Sequence, residues 1–244
     1  MYLFFANLCV HLKVKYMKKK NFGVGSIVLL SLLGVCIAVF VVLFALTSFP
    51  KNDDDDSCEV KETVNGHELI DLGLSVKGAT MNVGASSTED CGDYFAWGET
   101  ESKDTFNADN SVAYGASMSN VSGNAAYDAA TANWGDSWRM PTHDEMNELI
   151  DNCTWEWTMM NGVKGYRVTG STGNSIFLPA AGYRFGPTPD YVGESGYYWS
   201  SEPQQSDANR AYYTYFGSGE RSTNWSDCFY GQSVRPVSDE KGAD

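Results

Sequence analysis

Between Thr142 and Leu178 the spacing of apolar residues changes once, and that change limits what the chain can fold into. Thr142-His143-Asp144-Glu145 is a capping box, in which the Thr hydroxyl and the Glu carboxylate each satisfy a free backbone N–H at a helix start. Met146, Leu149 and Ile150 follow at spacings of three and four, which is one apolar face of a helix. After Cys153 the period becomes two. Thr154 to Met159 and Val163 to Thr169 read as strands joined at Asn161-Gly162, where both residues tolerate the positive φ of a tight hairpin. Gly170 to Asn174 turns the chain again into Ser175 to Leu178. Asp144 and Glu145 lie at the positive end of the helix dipole, which accounts for them without catalysis.

The same reading extends outward. His67 to Leu72 and Leu74 to Val83 are short apolar runs bounded by Gly73 and Gly84 and suit strands. Asp93 to Gly98 is an aromatic strand candidate, Glu99 to Gly123 a long polar loop, and Tyr127 to Ala132 a short helix. Tyr183 to Phe185 forms a brief run, Tyr197 to Ser201 a buried strand, and Gly231 to Val237 a final one. The fold class expected is α+β, with one or two helices early and a mostly antiparallel, loop-rich sheet later.

Charge divides the 244 residues unevenly. Residues 1–50 carry five Lys and no acid, whereas residues 51–244 hold the other 12 bases and all 31 acids, a net of −19. So acidic a part repels phosphate backbones, which excludes nucleic acid as a partner. Phe22 to Phe49 is an uncharged run of 28 residues, longer than the roughly 20 a membrane helix needs. The expectation is a single N-terminal transmembrane helix kept as a signal anchor, with a cleaved or lipidated signal as the alternatives. Its preceding lysines would stay cytoplasmic, so the membrane is one partner and the folded part lies outside the cytoplasm, in the periplasm or at the cell surface. The domains expected are 1–21 cytoplasmic segment, 22–49 anchor, 50–59 acidic linker, 60–238 folded domain and 239–244 tail.

Several blocks resemble a known family. Ser137-Trp138-Arg139-Met140-Pro141-Thr142 with Glu145 and Glu148, then GNSIFLPAAGYR at 173–184, GYYWSS at 196–201, GQSVRPV at 231–237 and the opening block at 71–100 look like the Fibrobacter succinogenes major paralogous domain of Bacteroidetes. That group is similar to the formylglycine-generating-enzyme branch of C-type-lectin-like folds. The resemblance implies a C-type-lectin-like scaffold whose C-terminal half displays variable loops, diversified by retroelements in some members. Two positions depart from the pattern, with Gly78 in place of a Trp and Cys91 in place of a Tyr.

Gln204 to Tyr230 is where such loops would fall. Its Tyr, Trp, Ser, Asn and Asp resemble a binding-loop composition, in which rigid rings supply area and short polar groups supply hydrogen bonds. An exposed, turn-rich β region is the equal alternative. Ligand-binding candidates are Gln204, Gln205, Asp207, Asn209, Arg210, Arg221, Asn224, Trp225, Asp227 and Tyr230. Arg210 and Arg221 are expected to be free for ligand, and Arg139, Arg184 and Arg235 to pair with buried acids. The function expected is non-enzymatic binding of a protein or glycan, without cofactor or metal. An oxidoreductase of the related enzyme branch and a structural adhesin or assembly subunit are the alternatives. The first would need a reactive thiol pair, and only Cys228 lies near the expected place; Cys58, Cys91, Cys153 and Cys228 could instead form disulfides. Glu202-Pro203-Gln204 and Asn224 to Asp227 faintly resemble the calcium ligands of sugar-binding lectins, but their spacing is loose. His67 and His143 have no nucleophile motif around them.

Overall fold

The computed structural model describes residues 62–239. Its helices begin where capping side chains dictate. Helix α1 (Ala129–Trp134) starts on Asp128, whose buried carboxylate accepts from the backbone of Ala130 and Thr131 at 2.9 and 3.1 Å. The same carboxylate takes the N–H groups of Gly123 and Met140, both at 2.9 Å, and four donors compensate a charge withdrawn from water. Helix α2 (His143–Asn152) carries the expected box, with Thr142 Oγ1 accepting from Glu145 N at 3.2 Å and Glu145 accepting from Thr142 N at 2.8 Å. Arg139 then donates two bonds to Glu145 and two to Asp239, all between 2.6 and 2.9 Å. The start of α2 is thereby tied to the end of the fold.

The strands fall into four antiparallel groups. Strands β1 (Thr63–Val64), β2 (His67–Ile70), β3 (Lys77–Ala79) and β12 (Val237–Ser238) pair in that order, which joins the two ends of the described chain. Strands β4 (Thr154–Met160), β5 (Val163–Thr169) and β6 (Ser175–Pro179) form a meander, with Asn161 at φ 48° and Gly162 at φ 87° in the tight turn. Strands β7 (Tyr183–Phe185) and β8 (Thr188–Asp190) are a hairpin. Strands β9 (Ser195–Pro203), β10 (Arg210–Gly217) and β11 (Glu220–Asp227) make the last sheet, with β10 central and β11 at an edge.

This architecture corrects the expected α+β class with its C-type-lectin-like scaffold. Among the described residues the two α-helices hold six and ten residues against twelve strands in four sheets, so the domain is mostly β. The expected transmembrane helix is not found either. No helix of the described residues is long and apolar enough to cross a membrane, and residues 22–49, on which that expectation fell, lie outside them. Three expected strands shrink because their backbones make single bridges to several separate segments instead of a continuous ladder with one neighbour. Leu74 to Val83 is regular only at Lys77–Ala79, Asp93 to Gly98 makes a single bridge from Phe95 to Gln232, and Gly231 to Val237 runs extended through the interior. That last segment bridges Arg184, Phe95 and Tyr198 in turn, and its Val234 and Pro236 carbonyls accept from Val83 and Ala79.

Indoles fix the core around that thread. Trp97, Trp138 and Trp199 are wholly buried, and their Nε1 groups donate to the carbonyls of Ser200, Val64 and Phe95 at 2.8 to 3.0 Å, so none carries an unsatisfied donor into the apolar interior. A second cluster lies between α2 and the two meanders, where Tyr166, Tyr198 and Phe216 meet Met146 and Leu178. Trp155 and Trp157 share one face of β4, as the two-residue period requires, and both pack edge-on against Tyr166. The acid partners expected for the arginines hold for Arg139 alone. Arg184 donates to the carbonyls of Asp104 and Pro187, and Arg235 to Asn82 Oδ1 and the carbonyls of Ala79 and Phe177, because backbone oxygens of converging loops reach them first. Cys91, Cys153 and Cys228 are free thiols, so no disulfide forms among the described residues.

Candidate functional site

Alternation along β10 sends successive side chains to opposite faces of the last sheet. One face is covered. Tyr212 stacks on His143 of α2 at 4.2 Å, Thr223 Oγ1 donates to Asn147 Oδ1 at 2.9 Å, and Phe216 packs against Tyr166 and Tyr198. The other face buries Ala211, Trp199 and Tyr213 in the main core, and toward the far end of the sheet it carries the half-buried Tyr197 and Tyr215.

Those rings form a continuous shelf. Tyr197 meets Tyr213 at 5.7 Å, Tyr215 at 5.3 Å and Tyr183 of the β7–β8 hairpin at 5.0 Å. Tyr183 in turn touches Tyr191 and Tyr230. Phe185 and Phe229 carry the chain of contacts on to Tyr114. Tyr183, Tyr197, Tyr215 and Tyr230 are half-buried, whereas Tyr191 and Phe185 expose 54% and 52% of their surface. Burial pushes the phenols of Tyr183, Tyr197, Tyr213, Tyr215 and Tyr230 upward, and neighbouring phenols or carboxylates add to it. At neutral pH they are uncharged hydroxyls, able to donate and to accept.

Two backbone details hold the shelf. Tyr191 has φ 60°, where a large L side chain is strained by roughly 1–2 kcal/mol. A ring kept exposed at that cost is a pointer to function. Gly182, at φ 66°, lies so close to the hairpin that a Cβ would stand 1.9 Å from the Asp190 carbonyl, so only glycine fits between the end of β8 and Ser195, whose carbonyl accepts its N–H at 2.7 Å. Beside Tyr191 and Tyr215 opens a polar groove of about 720 Å³, lined also by Trp157, Lys164, Glu194 and Glu220.

The ten residues singled out from sequence do not make one site. Asp207, Arg210, Asp227 and Trp225 do come together: Arg210 Nε donates to Asp227 Oδ1 at 3.2 Å, lies 3.5 Å from Asp207, and its guanidinium covers the Trp225 ring at 4.4 Å. Arg210 is therefore engaged, not free as expected, because the register sets it opposite Asp227. Trp225 still exposes 43% of its surface. Gln204 closes its own turn through Ser206, Asn209 accepts from Gly115 N at 2.7 Å, Asn224 accepts from the N–H of Trp225, and Gln205 is exposed. Arg221 pairs in register with Phe216, six rungs from Arg210, which is about 20 Å along the strand; its guanidinium lies over Trp155 at 5.7 Å. Tyr230 belongs to the shelf. Of the shelf's other members sequence reasoning placed none, although the alternation of rings in 210–216 could have flagged Tyr213 and Tyr215.

Cys228 is buried and its thiol is pushed up to about 12, by burial first and then by Asp227 and Asp207. Glu202, half of the faint calcium pattern, accepts from Asn120 and from the N–H of His143, and no cluster of three His, Cys, Asp or Glu suited to a metal exists among the described residues. His67 stacks on Trp134 at 3.6 Å, and burial lowers its pKa.

Fold and face together define a small, mostly-β domain that presents an aromatic shelf. The sequence matches the family model of the Lcl C-terminal domain over residues 86–238, more than half of the chain, and the protein belongs to that family. Neither a curated protein nor a solved structure matches it.

Proposed function

We propose that this domain binds, without chemistry, an uncharged polyhydroxylated chain of the glycan class along the tyrosine shelf and into the groove at its end. The observation that carries the reading is Tyr191, an exposed ring held in strained backbone and stacked on Tyr183 at 5.9 Å. Flat phenols suit the C–H faces of sugar rings, and their neutral hydroxyls can exchange hydrogen bonds with hydroxyl groups. Burial of Cys228 speaks against the oxidoreductase alternative, since a thiolate is the reactive form. Beside the shelf, β11 is an edge strand with five of its eight residues exposed, so it can vary in sequence with little cost to the fold, as a displayed variable segment would.

A glycan array probed with the full-length chain and with Tyr191→Ala tests this. The expected result is retention of an uncharged glycan by the native chain and at least a tenfold loss in the variant at unchanged melting temperature. Equal binding by both, or binding of protein partners alone, overturns it.

A further inference from the structure

On the covered side of the same sheet lies a cavity that the shelf does not use. It has a volume of about 60 Å³ and is walled by Leu72, Leu74, Met146, Leu149, Ile176 and Leu178. Gly78 stands at its edge, and a Cβ built there meets no atom within 4 Å, so the space is open on that side. A space of this size could hold several waters, but an almost wholly apolar wall does not favour them, because each needs two to four polar partners.

Two polar groups interrupt the wall. Thr214 is 4% exposed, and its hydroxyl has no hydrogen-bond partner. Arg235 is 6% exposed, and no carboxylate among the described residues lies within ion-pair distance of it; its partners are Asn82 and two carbonyls, with the Tyr198 hydroxyl beside it. Burial lowers it to about 10, so it stays charged at neutral pH. Glu145 also reaches the cavity, where its carboxylate is held by two bonds from Arg139, a cation it shares with Asp239. A buried cation without an anion is costly, as is an orphan hydroxyl.

We propose that this cavity is a binding site for a short-chain aliphatic carboxylate of about three to five carbons, whose anion meets Arg235 and Thr214 and whose tail fills the apolar space toward Gly78. The site is independent of the tyrosine shelf, because Thr214 points to the face opposite Tyr213 and Tyr215.

Calorimetric titration of the full-length chain with butyrate, with n-butanol and butylamine as size-matched comparisons, tests it. Saturable butyrate binding, with at least tenfold weaker binding of the other two, is expected. Thr214→Val should weaken butyrate about tenfold, as loss of a buried hydrogen bond to a charge does. Gly78→Leu, which grows into open space and leaves Arg235 untouched, should abolish binding while the chain stays folded by circular dichroism. No saturable butyrate binding, equal binding of butanol, or butyrate binding undiminished in a folded Gly78→Leu protein overturns the proposal.

Discussion

Tyr197 and Tyr198 are neighbours on one strand and have opposite fates. Tyr198 is 3% exposed, donates to the Pro179 carbonyl at 2.7 Å and lies flat on Phe216. Tyr197 is half-buried, packs against the edge of the main core and meets Tyr183, Tyr213 and Tyr215. Residue type does not separate them. The difference lies in what crosses the sheet: α2 and the β4–β6 meander on one side, a three-residue hairpin strand and its rings on the other. A single sheet can thus be structural on one face and, at one end of the other, displayed.

Substitutions that cut through one face at a time should break this pairing apart. Phe216→Ala removes a wholly buried ring, and a loss of roughly 3–5 kcal/mol in chemical denaturation is expected. Tyr198→Phe keeps the ring but removes the hydroxyl's bonds to the Pro179 carbonyl and Asn82, both of which keep other partners, so a loss of about 0.5–1.5 kcal/mol is expected. Arg210→Ala should cost only about 0.5–1 kcal/mol, the worth of an exposed cation–π contact. Tyr191→Gly should change stability by less than about 1 kcal/mol, because relief of the left-handed backbone offsets the lost stacking, while glycan binding disappears. A large stability loss there would make Tyr191 a structural ring and erase the contrast.

Acid should act on the covered side first. Burial alone would raise Glu145, but donors from Arg139 and Thr142 hold it below its usual range, and Arg139 likewise lowers Asp239. A depressed carboxylate contributes stability above its unfolded pKa and loses it as pH falls through the folded value. Thermal melts should therefore be flat above roughly pH 5 and fall below about pH 4, and Arg139→Met should blunt that fall.

Local chemistry was legible in the residues. The capping box at Thr142, the Asn161-Gly162 turn and the shared face of Trp155 and Trp157 all appear as read, because each rests on groups within a few positions of one another. Readings that needed a distant partner fared worse. Gly231 to Val237 has the composition of a strand, yet its backbone partners are scattered over several segments up to about 150 residues away, such as Val83, and no periodicity reports that. Arg210 looked free because its partner Asp227 lies across a hairpin whose register the intervening residues do not announce.

What the sequence by itself determined is where the longer helix starts, at Thr142, and where the Asn161-Gly162 hairpin turns. Only the tertiary structure decided which rings are displayed, since Tyr183, Tyr191 and Tyr230 reach Tyr197 from separate elements. The physical reason is range: a cap or turn is fixed by hydrogen bonds between near neighbours, whereas exposure is fixed by whatever remote segment comes to cover a face, or leaves it bare.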